Sequence, residues 1–259
     1  MKDVENKSQP ARRHRWHVTT AEAREIQQEL REQWEGVDRL GAIRSVAGLD
    51  AAFVLTGSQA LKKVNRWKRM QEANQAIGCV VVFRYREMTE LARAFAIVPL
   101  EFPYVPGLLS FREVPALLAA LKKLREVPDL LFCDAQGYAH PRRMGLASHL
   151  GVWLDRPTIG CAKGLLIGEH GLVKQEKGSW TELVDRSADE RIGAVVRTRA
   201  GVRPIYVSQG NRVSLETAVR LTLEVSDGYR IPRPTREADH FASEIKRKLA
   251  REGKSLVSE

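Results

Sequence analysis

The sequence predicts an α/β protein: a mixed central sheet with helices flanking it. Three observations carry that prediction. The apolar runs LLFC (130–133) and PTIGCA (157–162) bracket a stretch with helical spacing, and strand, helix, strand is the pattern of a parallel pair joined by a crossover. Upstream, the runs SVAGLDAAFVL, GCVVVFRYR and ARAFAIVPL follow one another as an antiparallel meander would. Amphipathic stretches on either side supply covering layers.

Taken in order, Trp16 to Leu40 has a helical pattern. Thr19 or Thr20 can cap it, Glu22 suits its first turn, and Ile26, Leu30 and Val37 mark a partly buried face. Ser45 to Leu55 reads as a buried strand interrupted by Asp50, and an acid in such a run is costly unless it is paired or binds a cation. Residues 56–77 form a basic excursion, with Lys62, Lys63, Arg66, Lys68 and Arg69 around Trp67. It reads equally as a solvated connection or as a surface that tracks a phosphate backbone and stacks on a base. Strands follow at Gly78–Arg86 and Ala92–Leu100. Next, Pro103-Tyr104-Val105-Pro106 places two prolines around an aromatic and a β-branched residue, which makes a stiff projecting loop.

From Ser110 the chain turns helical. Ser110 and Glu113 have capping-box spacing, which gives Glu113 a purely local reason to be there, and Pro115 fits only in a first turn. Leu117, Leu118, Leu121 and Leu124 form the buried face. The strand LLFC then ends abruptly on Asp134, which either caps the next turn or sits at a sheet edge as a ligand. A helix over Arg142–Leu154 follows, with Leu146, Leu150 and Trp153 spaced to pack, and then a strand that delivers Lys163. Residues 164–190 are loop-rich, Ile192–Arg197 and Pro204–Val207 read as strands, and Ser214–Glu224 and the basic C-terminal stretch as helices.

Composition bounds the function. The chain has 259 residues, room for a sizeable core, and 43% hydrophobic content argues against disorder. The first 15 residues, charged and without an apolar segment, read as a flexible basic tail and not as a secretory signal; residues 16–243 make the domain, and 244–259 a basic extension. No run is long enough to span a bilayer. A net charge of +10 points to a polyanionic partner. Cys79, Cys133 and Cys161 each sit in an apolar run, as small core residues do in a reducing, cytoplasmic compartment.

Asp50, Glu113 and Asp134 thus stand on three separate elements. Brought to one cleft they would repel unless a divalent cation neutralised them. Oxygen ligands suit Mg²⁺ or Mn²⁺, and in a basic protein that combination suggests phosphodiester hydrolysis.

The segments VAGLDAAF, PYVPGLLSFREVP, DAQGYAHPRRMGLASHLG, PTIGCAK, RPIYVSQGNRVSLETA and IPRPTREAD, in this order from about Trp16 to Ala242, resemble the endonuclease V family, nucleases that cut DNA near deoxyinosine. The resemblance implies a ribonuclease-H-like fold and a Mg²⁺ cofactor, with Mn²⁺ as a substitute. It implies that Asp50 and Asp134 are metal ligands, that Glu113 completes the acidic cluster, and that His140 and Lys163 lie near the scissile phosphate. Asp239 matches a further polar position near the site. By the same resemblance Pro103, Tyr104, Val105 and Pro106 form a wedge that enters the base stack, and Gly107, Leu109, Gly137, Gly145 and Leu146 line the lesion pocket. The implied reaction is a nick at the second phosphodiester bond 3′ to deoxyinosine, leaving 3′-hydroxyl and 5′-phosphate ends. Alternatives are cleavage of inosine-containing single-stranded RNA, or a nucleic-acid-binding relative with a degenerate site. The chain departs from the family pattern at Ala135, where a glycine is usual and a methyl group could narrow the pocket or forbid a positive φ; at Asn211, where a histidine is usual; and in the length of the 56–77 excursion.

Overall fold

The computed structural model describes residues 13–55 and 71–252. Most of the basic excursion and of the expected tail therefore lies outside the described residues. Nine strands among them form one sheet: β1 (Ser45–Val54), β2 (Gln75–Arg84), β3 (Glu90–Pro99), β4 (Leu130–Cys133), β5 (Thr158–Ala162), β6 (Glu169–His170), β7 (Trp180–Asp185), β8 (Glu190–Val196) and β9 (Ile205–Asn211), in the order β3-β2-β1-β4-β5-β9-β8-β7-β6. β1, β2 and β3 are the expected antiparallel meander. β4 runs parallel to β1 on one side and to β5 on the other, so the mixed sheet has a parallel centre.

Helices cover both faces. α2 (Ser110–Leu121) and α3 (Leu146–Leu154) pack on the face carrying Ala47, Leu49, Leu131 and Cys133. α4 (Leu215–Glu224) and α5 (Arg233–Glu252) pack on the opposite face, with Val46, Leu130, Phe132 and Ile159. The period-two alternation of side chains is what splits adjacent residues of β1 and β4 between the two cores. Gly48 sets the approach of α5: a Cβ there would lie 1.8 Å from the Pro234 carbonyl oxygen, so only glycine lets the start of that helix reach β1.

Several expectations are corrected. The first helix, α1, spans only Thr20–Arg31; Thr19 and Glu22 form a capping box, while Val37 lies beyond the helix and is 57% exposed. β2 begins at Gln75, so the end of the basic excursion is already strand. Ser110 does not cap α2; Leu109 holds the cap position, and the Ser110 hydroxyl is 2.9 Å from Nδ1 of buried His149. The amides of Phe111 and Arg112 instead donate to the Leu108 and Leu109 carbonyls, so the helix start is closed by backbone turns. Pro115 sits inside α2, past its first turn. The helix expected from Arg142 starts at Leu146, and β6 and β7 occupy the stretch read as loop. α5 runs unbroken through 243 and buries Ile245 and Leu249 in the main core, so the chain has no boundary there. The three cysteines are buried and free, as expected.

Candidate active site

The centre of the sheet brings the first two acids together. Leu49 and Cys133 are the last paired positions of β1 and β4, and the Asp134 amide donates to the Leu49 carbonyl at 3.1 Å. Asp50 and Asp134 are the next residues on these neighbouring parallel strands, so both project to the face that α5 covers. On that helix Asp239 completes a bridge: the Lys163 ammonium, just past β5, lies 2.5 Å from Asp134 Oδ2 and 2.8 Å from Asp239 Oδ2. Asp134 is 8% exposed, whereas Lys163 and Asp239 stay open to solvent at the rim. Glu113 enters from α2; with no capping role, its carboxylate is explained by its neighbours, not by its helix.

The electrostatics fit a cation-binding set. Burial, then the charges of Asp134 and Asp239, push Asp50 up to about 7. Burial, then Asp50 and Asp134, raise Glu113 well above the carboxylate range. Burial also raises Asp134, against the pull of Lys163. Burial of the Lys163 ammonium works against its charge, but the two aspartates win and hold its proton more tightly than usual. Among the described residues no three His, Cys, Asp or Glu side chains are drawn together into a finished ligand set; Lys163 carries the positive charge between two of the acids. All-oxygen donors that raise one another's proton affinity are the donors a hard divalent cation relieves, so the residues fit such an ion.

The His140 ring is bonded to the backbone of Gly107 and Arg142. Its Nε2 donates to the Gly107 carbonyl at 3.0 Å, its Nδ1 accepts the Arg142 amide at 3.2 Å, and burial, then the Arg142 charge, lower its pKa to about 4. It is therefore a neutral ring tied to the end of the Pro103–Pro106 loop. In that loop Pro103 and Pro106 are exposed, while Tyr104 and Val105 are half-buried. The Arg112 guanidinium lies beneath, 4.8 Å from the Phe53 ring and 6.0 Å from the Tyr104 ring.

The expected pocket residues divide. Gly107 and Leu109 border the loop and are partly exposed. Gly137, Gly145 and Leu146 are buried. The Gly137 amide is bonded to Ser208 Oγ and its carbonyl to the Gly145 amide, so these backbone groups are committed within the fold. Leu146 lies in the core.

Two residues escaped the sequence reading. Arg230 donates to the Lys163 carbonyl at 2.8 Å and braces the segment that carries the ammonium. Gln27 lies between Ala23 and Leu30 on the buried stripe of α1, and a polar residue at that spacing was a legible signal.

The endonuclease V family model matches residues 24–240 of the chain. The chain belongs to the endonuclease V family. The endonuclease V of Roseiflexus castenholzii is 46% identical over 235 residues, covering 91% of this chain and 97% of that one. Among solved structures, endonuclease V of Streptomyces avermitilis is similar with a TM-score of 0.78 at 36% identity, covering 91% of this chain and 96% of that one. Endonuclease V of Ciona intestinalis, solved in complex with a 24mer DNA containing an inosine followed by a ribo-adenosine, is similar with a TM-score of 0.73 at 30% identity, covering 88% of this chain and 98% of that one. The fold is thus the ribonuclease-H-like one, and the chain belongs to a family of nucleases.

Two departures from the endonuclease V pattern now have a structural account. Ala135 has no positive φ and its methyl group is packed in the core with Leu131 and Leu146, so this backbone does not require glycine there. Asn211 is buried, accepts the Glu35 amide and donates to the Gly151 carbonyl, which makes it a structural tie.

Proposed function

We propose that the protein is a Mg²⁺-dependent endonuclease, able to use Mn²⁺, that nicks DNA at the second phosphodiester bond 3′ to deoxyinosine and leaves 3′-hydroxyl and 5′-phosphate ends. The observation that carries this reading is the meeting of Asp50 and Asp134 on adjacent parallel strands, with Asp239 and Lys163 beside them and Glu113 electrostatically coupled to both acids. Asp50 and Asp134 would hold the ion, with Glu113 completing the set. A divalent cation there supplies Lewis acidity to the phosphodiester and to the attacking water.

The chain's own groups do the rest. Lys163 presents a fixed positive charge at the rim, where the charge of a phosphate can be met. Asp239 holds that ammonium in place. The Pro103–Pro106 loop would enter the base stack at Tyr104 and hold it apart while the lesion leaves the helix. Gly107 and Leu109 would stand at the pocket mouth, with Gly137, Gly145 and Leu146 beneath as packed floor. His140, neutral and bonded to Gly107, would act through that loop.

A second reading has one observation in its favour. The Ciona relative was solved with a strand that carries a ribo-adenosine after the inosine. An inosine-containing RNA is therefore a competing substrate, to be told apart by what a 2′-hydroxyl meets near the cut.

The test is a nicking assay on end-labelled oligonucleotides with a single inosine, in DNA and RNA forms, with Mg²⁺, Mn²⁺ or chelator. Cleavage of the DNA only when a divalent ion is present supports the reading; faster cleavage of the RNA favours the second. Asp134→Ala is expected to abolish nicking while sparing salt-sensitive DNA binding. Nicking by that variant near the parent rate refutes the assignment of the ligands.

A further inference from the structure

Gln27 of α1 is fully buried, and its carboxamide is used on every side. Nε2 donates to the carbonyl of Gly107 at 3.1 Å and to that of Met144 at 3.0 Å, and Oε1 accepts from Arg142 Nε at 2.6 Å. Arg142 in turn sends Nη2 to the same Gly107 carbonyl at 2.7 Å, and His140 Nε2 reaches it at 3.0 Å. Three donors from two segments far apart in the chain converge on one backbone oxygen. That oxygen belongs to the residue directly after Pro106, held at φ +77°, a conformation suited to glycine. A bonded and buried amide of this kind is costly to disturb, because each lost partner leaves a desolvated group unpaired.

We propose that Gln27 is a positioning residue for the Tyr104 loop: it fixes the Gly107 carbonyl and the Arg142 side chain together, and so sets the angle at which the loop meets a duplex. The inference rests on the wedge role given to that loop above. Gln27 touches no substrate; it works through Gly107 and Arg142. The chemistry allows few substitutes. A glutamate would turn an oxygen toward two carbonyls, and leucine or methionine would remove all three bonds while keeping the apolar stem. The consequence is selective: a duplex has a stack to be opened and a single strand does not, so loosening the loop weakens the first reaction more.

The experiment compares kcat/KM on inosine-containing duplex and single-stranded DNA for Gln27→Leu, Gln27→Met, Gly107→Ala and the Gln27→Met/Gly107→Ala double variant, with Tyr104→Ala in parallel. Gly107→Ala perturbs the same contact from the Gly107 side, since φ +77° disfavours a side chain and its Cβ would lie 2.9 Å from Arg142 Nη2. Expected for Gln27→Leu and Gln27→Met is a loss about tenfold larger on duplex than on single strand, and a weaker rise in fluorescence of a 2-aminopurine placed beside the lesion. The double variant should be little worse than either single change, because both act on one contact. Equal losses on both substrates, fully additive losses, or failure of both Gln27 variants to fold would overturn the proposal and leave Gln27 a support of the core. If Tyr104→Ala shows the duplex-selective loss and the Gln27 variants do not, the positioning role alone falls. If the Gln27 variants show it and Tyr104→Ala does not, the wedge reading falls, and Gln27 still positions whatever else in the loop opens the duplex.

Discussion

Lys163 has two roles that pull in opposite directions. Its ammonium holds Asp134 and Asp239, and so competes with any cation for the Asp134 carboxylate. It also offers a positive charge that bridges two of the site's acids. Lys163→Met is therefore expected to bind Mn²⁺ more tightly than the parent while nicking falls about 10²-fold, since the charge proposed to meet the phosphate is removed. Calorimetric titration with Mn²⁺, beside the nicking assay, separates the two effects. Weaker Mn²⁺ binding in the variant would mean that Lys163 arranges the acids and does not compete for them. His140 shows the same need to look past residue type. The family resemblance sets it near the scissile phosphate; burial and two committed ring nitrogens make it a neutral ring tied to Gly107.

Between elements, the site depends on how closely α5 lies against β1, because that contact brings Asp239 to Lys163. Gly48→Ala would drive a methyl group into the Pro234 carbonyl. The expected cost is about 1–3 kcal/mol of stability, the usual range for overpacking, together with loss of nicking as α5 lifts. Thermal melts and the assay measure both; a variant with parent stability and rate would show that α5 is free to shift. The elements themselves were largely legible. β1, β3, β4 and β5 stand near their expected places because largely apolar runs bounded by charges or prolines have few other uses. Helix starts were less so. Ser110 and Glu113 had the spacing of a cap, yet the hydroxyl meets His149 and the carboxylate is buried where it feels the charges of Asp50 and Asp134. The loop between Lys163 and Glu190 hid β6 and β7, whose residues are mostly exposed or half-buried and so lack an apolar alternation to read.

For the whole molecule, Asp50 and Asp134 were individually visible in the sequence, but their convergence on neighbouring strands was not, since spacing along a chain carries no distance across a sheet. That convergence has a thermodynamic consequence. Asp50 is displaced from an ordinary value of 3.8 to about 7, so the folded state binds its proton more tightly than the unfolded chain does. The stability this contributes is fully present below about pH 4 and is lost as pH rises toward 7, the reverse of ordinary acid denaturation. At about 1.36 kcal/mol per pH unit the displacement corresponds to roughly 4 kcal/mol, and Glu113 shifts in the same direction. A divalent cation that binds only the folded protein must displace these protons, so it stabilises little in acid and much in base. The melting temperature of metal-free protein should therefore fall between about pH 5 and about pH 8, and Mg²⁺ should restore it at the upper end far more than at the lower. Asp50→Asn should flatten the metal-free slope and shrink the Mg²⁺ gain together, because one carboxylate underlies both. An equal Mg²⁺ gain at both ends of the range, or an Asn variant that keeps the parent's slope, would mean that Asp50 neither holds the proton nor meets the ion.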